Sequence, residues 1–356
     1  MTAAAAAKLP KAYEEKEAPR APETPPHFIA LEYAEPSPIM VGFQKVWRGF
    51  KRFVIVAAIV GAIVGYPAAI VLSSTIDDRT IVIPPEENWA VPSIAIAVHK
   101  IARELEGPGW ASNRPAWHPQ ARLTALPAWQ AGTAEALSQH VDLISRIALT
   151  DGAPDADLAI ASRLLVEVDD EKMRPRLTAA AQALNRFDTR ASRGLAMRPM
   201  PEEILPAELA LFADWAAEDR AALSDLINAE QAGWPASQAD IAAVYRAKSR
   251  AHIAHEMFTA SKAKSYQLGE TRLAVAAQRT QAAWARAAVM KPLLVSNQSD
   301  AATLTPNHLA TMAFFLLEAE EASRHLAALM TPVEPEAGTT DTAALETSGA
   351  EDTARP

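Results

Sequence analysis

The chain has 356 residues and a net charge of −9, and it contains no cysteine. This length suits one sizeable domain, and the lack of cysteine excludes disulfides, thiolate metal sites and cysteine nucleophiles. The acidic balance gives no electrostatic footprint for nucleic acid, so no nucleic-acid partner is expected. Abundant alanine and few aromatic residues favour an all-α fold.

The chain begins with a tail, residues 1–38, that is predicted to be disordered because it contains few large apolar residues. Residues 39–52 follow as a basic, amphipathic segment beside the predicted span. Either this segment lies in the headgroup layer of a membrane, or it extends the transmembrane helix into the cytoplasm. The side chains predicted at the membrane interface are Lys45, Trp47, Arg48, Lys51 and Arg52.

Residues 53–72 form an uncharged stretch of twenty residues. As a helix this stretch is about 30 Å long, which matches the hydrocarbon core of a bilayer, and it is predicted to be a transmembrane helix. Basic residues precede it and two aspartates follow it, so the tail is predicted to be cytoplasmic and the rest of the chain to lie outside the cytoplasm. A cleaved signal peptide and a buried cytosolic helix are the alternatives.

Small residues recur every four positions within the predicted span. They are Ala57, Gly61, Gly65 and Ala69. Such a stripe lets two helix backbones approach closely in a membrane, and it predicts a homodimer through the span. The alternative is that the glycines only accommodate a kink near Pro67.

Apolar residues at intervals of three and four predict an all-helical domain over residues 89–330, after a linker at 73–88. Its predicted helices are Trp89–Glu106, Pro127–Thr150, Pro154–Leu184 with a break or kink near Pro175, Glu202–Ala232, Ser237–Gln267, Thr271–Met290 and Thr305–Met330. Residues 185–201 contain four arginines and are predicted as a loop. Thr305 is expected to cap the last helix. Residues 331–356 are predicted to be a disordered acidic tail.

Two pairs of polar residues could carry chemistry. His252 and His255 share one helix face and could bind a metal ion, although their position beside the apolar face favours packing. Asn307 and His308 begin the last predicted helix, where they could bind an anion or tie the preceding loop to the helix. The sequence shows no convergent set of a nucleophile, a base and metal ligands. We therefore assign no catalytic, metal-binding or cofactor-binding residue, and we expect no cofactor.

Four short segments match a known pattern: Trp89-x-x-Pro92-Ser93, Leu126-Pro127-x-Trp129-Gln130-x-Gly132, Ser296-Asn297 and Pro306-Asn307-His308-Leu309. With the basic flank, the single span and the helical body, the chain resembles the proteobacterial domain of unknown function 2333 family over about residues 40–330. The resemblance implies a single-span inner-membrane protein with a helical periplasmic domain, and it implies no activity.

These observations predict a non-enzymatic interaction or scaffold protein of the cell envelope. Its expected partners are the lipid bilayer and another envelope protein. The alternative is an envelope hydrolase or metal-dependent enzyme that uses His252, His255, Asn307 or His308.

Overall fold

The predicted all-α class is confirmed by a computed structural model. It describes residues 38–65, 75–84, 86–107, 109–111, 114–115, 118–150, 152–166, 172–229, 233, 235–265, 271–292, 294–298 and 306–331. Nine α-helices lie in these ranges: α1 Pro38–Val60, α2 Pro92–Glu106, α3 Ala125–Ile147, α4 Ala156–Leu165, α5 Met173–Ser192, α6 Pro201–Ile227, α7 Gln238–Ser265, α8 Thr271–Val289 and α9 His308–Met330. The described strands are β1 Leu149–Thr150 and β2 Ala153–Pro154, which pair antiparallel across a turn at Gly152.

The first of two compact units ends at Val60, and the second begins at Gly61. Helix α1 runs without a break through the basic segment 39–52 and into the predicted span. The π-helical turn Gly61–Gly65 follows, and residues 66–72 of the predicted span lie outside the described residues. Where the structure describes the chain, it contains no helix with both the length and the apolar character needed to cross a bilayer. The predicted tails lie outside the described residues except at residues 38 and 331.

Helix α7 is the central helix of the second unit. Helices α2, α3, α6, α8 and α9 all pack against it. Between Ala247 and Phe258, every residue except His255 is therefore buried. This stretch of α7 has no solvent-facing stripe, so its polar side chains must find partners inside the protein.

Two predicted positions in this part of the chain were shifted. A break or kink was predicted near Pro175 within residues 154–184, and the structure has two helices there, with α4 ending at Leu165 and α5 beginning at Met173. Pro175 therefore lies in the first turn of α5, where the missing amide has no intrahelical partner to lose. The arginine-rich loop predicted over 185–201 begins later, because α5 continues to Ser192. This extension is stabilised by Arg190, whose guanidinium lies 2.7 Å from the carboxylates of both Asp155 and Asp157.

Helices α3 and α7 approach each other closely at Gly132. A Cβ atom at this position would lie 2.3 Å from Ser249 Oγ and 3.0 Å from the backbone oxygen of Arg246. The hydroxyl can move, but the backbone atom belongs to the central helix and cannot move cheaply. Glycine at this position therefore sets the distance between the two helices.

Replacing Gly132 by alanine is expected to lower the free energy of unfolding. Overpacking costs about 1–3 kcal/mol, whereas alanine gains about 1 kcal/mol of helix propensity. Urea unfolding followed by circular dichroism measures the difference. The double variant Gly132→Ala with Ser249→Ala should recover part of the loss, because the nearest clashing atom is gone. A single variant as stable as the wild type would show that the helices separate freely.

Candidate functional site

A cleft of about 420 Å³ lies between α3, α6 and α7. We call it the Asp219 cleft. Its lining residues are Ala128, Ala131, Glu218, Asp219, Ala222, Ala239, Ala242, Ala243, Arg246 and Arg250. Six alanines thus form apolar walls around a charged end, which is the usual composition of a ligand site: mostly apolar, with a few placed polar groups.

The charged end of the cleft is organised around Arg250. This side chain is 1% exposed, and its guanidinium lies 3.0 Å from Glu135, 2.9 Å from Glu218 and 3.0 Å from Asp219. One buried cation therefore links three carboxylates that come from α3 and α6. Because these helices are fixed by their packing on α7, the charged groups are held in place before any ligand arrives.

Asp219 supplies a buried oxygen without a hydrogen-bond partner among the residues that line this cleft, and Arg250 has two buried nitrogens, Nε and Nη2, without one. Asp219 is 5% exposed, and its Oδ2 atom has no hydrogen-bond partner, although Oδ1 accepts a hydrogen bond from Arg250. Burial raises the pKa of Asp219 to about 7, and the positive charge of Arg250 offsets this rise only in part. Near neutral pH this carboxyl group can therefore exchange a proton and can accept a further hydrogen bond.

A second cleft of about 380 Å³ adjoins the first, since Ala131 and Arg246 line both. Glu135 faces this second cleft, and its Oε2 atom has no hydrogen-bond partner. Arg246 Nε lies 3.7 Å from that atom, and the Arg246 side chain is half-exposed. Both clefts thus contain a carboxylate oxygen without a hydrogen-bond partner.

The histidine pair predicted on α7 is packed into the protein. His252 is buried with its ring 5.5 Å from the ring of Trp129, and burial holds its pKa well below the usual value. His255 is more exposed, and its Nδ1 lies 3.5 Å from Glu256. Among the residues that the structure describes, no group of three or more His, Cys, Asp or Glu side chains is placed so that it could hold a metal ion. His252 is thus held in the neutral form beside an aromatic ring.

Asn307 and His308 connect the start of α9 to the preceding loop. The Asn307 side chain accepts a hydrogen bond from the amide of Ala310 and caps the helix. The predicted cap, Thr305, lies outside the described residues and before the observed helix start, so that prediction was wrong. His308 Nδ1 accepts a hydrogen bond from the amide of Ser296, and the His308 amide donates to Ser296 O. This arrangement is the loop tie that the sequence allowed as one interpretation.

The predicted membrane-facing residues are exposed where they are described. Lys45, Trp47, Arg48, Lys51 and Arg52 lie on the exposed surface of α1, and the Lys51 ammonium is 5.3 Å from the centre of the Trp47 ring. Within the predicted packing stripe, a Cβ at Gly61 or Gly65 would meet no atom within 4 Å. Ala57 is exposed, and Ala69 lies outside the described residues.

Sequence reasoning missed a buried ionic cluster around Trp129. Glu104 accepts hydrogen bonds from Trp129 Nε1 at 2.9 Å and Gln130 Nε2 at 3.1 Å, and it pairs with Lys100 at 2.9 Å. The ammonium groups of Lys100 and Lys248 lie 4.5 Å and 5.7 Å from the centre of the Trp129 ring. The sequence contained one signal for this cluster: Lys100 and Glu104 lie in the same helical stripe as Ile94, Ala97 and Ile101.

Comparison with known proteins gave no match among protein-family models, curated proteins or solved structures. The family resemblance carried by the four short segments therefore stays a prediction. Three of the residues in those segments, Trp129, Gln130 and Gly132, lie in contacts that hold α3 against its neighbours.

Proposed function

We propose that this chain is a single-pass inner-membrane protein whose helical domain acts in the periplasm as a non-enzymatic binding or scaffold protein. The observation that carries the membrane part is the surface of α1. Every residue from Phe53 to Val60 is apolar, and every one is exposed. A helix that is apolar all round is stable inside a protein core or a membrane rather than in water. The sequence continues without a charge to Leu72, which supplies the length of a span.

The orientation follows from charge. Lys45, Arg48, Lys51 and Arg52 precede the apolar stretch, while Asp77 follows it. Basic residues are retained on the cytoplasmic side, so the tail is proposed to be cytoplasmic and the helical domain periplasmic.

The binding part of the proposal is supported by the Asp219 cleft. Its polar groups are carboxylates and guanidinium groups on packed helices, and they form ion pairs rather than a nucleophile beside a base. The four residues of the enzymatic alternative lie in two places, His252 and His255 on α7 and Asn307 and His308 at the start of α9. No specific observation favours the enzyme.

Alkaline phosphatase fusions test the topology. A fusion after Met330 is expected to be active in cells, whereas a fusion near Pro36 is expected to be inactive, because the phosphatase matures only outside the cytoplasm. Immunoblots of both fusions control for expression. Activity at the early fusion point and none at the late one would overturn the proposed orientation. In-cell crosslinking of the full chain, followed by mass spectrometry, would then name the envelope partner.

The proposed partners also include a second copy of this chain, which would associate through the span. Gly61 and Gly65 present open backbone surface, which permits close helix packing in a membrane. Gly61→Ile with Gly65→Ile in the full chain should abolish a membrane two-hybrid signal, while Ile59→Leu with Ile63→Leu should leave it unchanged. A wild-type signal no higher than that of a monomeric control would remove the dimer from the proposal.

A further inference from the structure

We propose that the Asp219 cleft binds an alkylammonium group, with the ammonium against Asp219 and the alkyl chain along the alanine walls. The inference deepens the proposed binding function, since it names the chemistry that the cleft recognises. It does not depend on the membrane topology.

The charges at the polar end of the cleft favour a cation. Glu135, Glu218 and Asp219 surround Arg250, and the only other cation lining this cleft is the half-exposed Arg246. Counted with Glu135, which contacts Arg250 from the adjoining cleft, three carboxylates face two guanidinium groups in this described cluster. When Asp219 is ionised, above its raised pKa, the cluster has one negative charge more than its cations can balance, and one added monocation balances it.

Asp219 determines where the ammonium group of the ligand would bind. This residue lines the cleft, is 5% exposed, and has an Oδ2 atom with no hydrogen-bond partner. A buried acceptor without a partner costs free energy that a donor from a ligand recovers. An ammonium group supplies both the hydrogen bond and the positive charge, and a hydrogen bond between charged groups is among the strongest in proteins.

The walls of the cleft select the rest of the ligand. The alanines from α3, α6 and α7 carry no polar side-chain atom, so they suit a short aliphatic chain. The cleft volume, about 420 Å³, lies within the range of small-molecule sites. Two sources offer this chemistry: a free aliphatic amine, or the side chain of a lysine on a partner protein.

A ligand-observed NMR titration of the full-length protein in detergent tests the proposal. The probes are n-butylammonium, the neutral isostere n-butanol and Nα-acetyl-lysine amide. At pH 8, n-butylammonium is expected to bind at least about tenfold more tightly than n-butanol, because only the ion makes the charged hydrogen bond. Tighter binding of Nα-acetyl-lysine amide than of n-butylammonium would identify a protein side chain as the source, and the reverse would identify a free amine.

Three variants locate the binding. Asp219→Asn should weaken n-butylammonium about tenfold or more, whereas Asp225→Asn, an exposed carboxylate on the same helix, should change nothing. Ala222→Phe fills the cleft and should abolish binding while Asp219 is intact. It also keeps the proposal testable if Asp219→Asn fails to fold, which circular dichroism would reveal.

The pH dependence gives an independent readout. A bound cation favours the ionised carboxyl group, so binding should weaken as the pH falls from 8 to 6, through the raised pKa of Asp219. Equal affinities for n-butylammonium and n-butanol, or full binding by the Asp219→Asn or Ala222→Phe variant, would overturn the proposal. A failed phosphatase-fusion test would leave this titration unaffected, so the two outcomes are distinguishable.

Discussion

Glu104→Ala is expected to lower the free energy of unfolding by about 3–5 kcal/mol, the cost of removing one partner from a buried ion pair. The Lys100 side chain is 0% exposed and lies 2.9 Å from Glu104, so the variant leaves its ammonium buried without a carboxylate. The same substitution removes the acceptor of Trp129 Nε1 and one acceptor of Gln130 Nε2. Urea unfolding, followed by Trp fluorescence and circular dichroism, measures the loss.

Two further variants separate charge from hydrogen bonding. Glu106→Ala, at an exposed position of the same helix, is the matched control and should change stability by no more than about 0.5 kcal/mol. Glu104→Gln keeps an acceptor for Trp129 but loses the charge that balances Lys100, so its stability should lie between those of the wild type and Glu104→Ala. A Glu104→Ala variant as stable as the control would mean that water reaches Lys100.

The sequence was sufficient to predict the helices, because their signals are local. Apolar spacing placed α8 within one residue of its observed end. The same local rules failed where a helix is stabilised by ion pairs and not by a periodic apolar face. Residues 185–192 looked like a loop because they are polar, but Arg186 and Arg190 are held in a helix by Asp155 and Asp157, some thirty residues earlier.

The Asp219 cleft could not be predicted from the sequence. Its lining comes from three helices, and nothing local distinguishes Asp219 or Arg250 from surface residues on amphipathic helices. Burial of Arg250 depends on the central position of α7, which only the tertiary packing shows. The pair His252 and His255 was easier to notice because the spacing is local, yet the fold uses it for packing.

Ion pairs between residues far apart in the sequence also attach the segment before α2 to the rest of the helical domain. Asp78 lies 2.7 Å from Lys248 and 2.6 Å from the exposed Lys291. Two more contacts tie the same stretch down: the Ile81 amide donates to Glu256, and Arg103 donates to Thr80 O. A stretch without regular secondary structure thus becomes part of the core through partners on α2 and α7.

Asp78→Asn is therefore expected to destabilise the protein by about 3–5 kcal/mol. Lys248 is 2% exposed, and burial already lowers its pKa in spite of Asp78. Without that carboxylate, its charge would lose its ion pair and would still face the positive charges of Lys291 and Lys100. Asp142→Asn, which removes an exposed pair with Arg146, is the matched control and should cost no more than about 1 kcal/mol.

The pH dependence of the free energy of unfolding provides a further test of the Asp78 ion pair. Burial alone would raise the pKa of Asp78, but hydrogen bonds from Lys248 and Lys291 bring it below 3.8. A carboxyl group with a lowered pKa stabilises the fold above its unfolded pKa, and this contribution disappears as the pH falls. The free energy of unfolding of the wild type should therefore decrease once the pH falls below about 4. The free energy of unfolding of the Asp78→Asn variant should decrease less over the same pH range.

A compensating variant distinguishes lost pairing from general damage. Asp78→Asn with Lys248→Met removes the buried charge along with its partner, and a neutral pair of similar volume is tolerated far better than one unpaired ion. The double variant should regain most of the stability lost in Asp78→Asn, and hydrogen exchange at the Ile81 amide should slow again. If both variants unfold at the same urea concentration, the ion pair does not hold this segment, and the contacts of Glu256 and Arg103 are the ones that do.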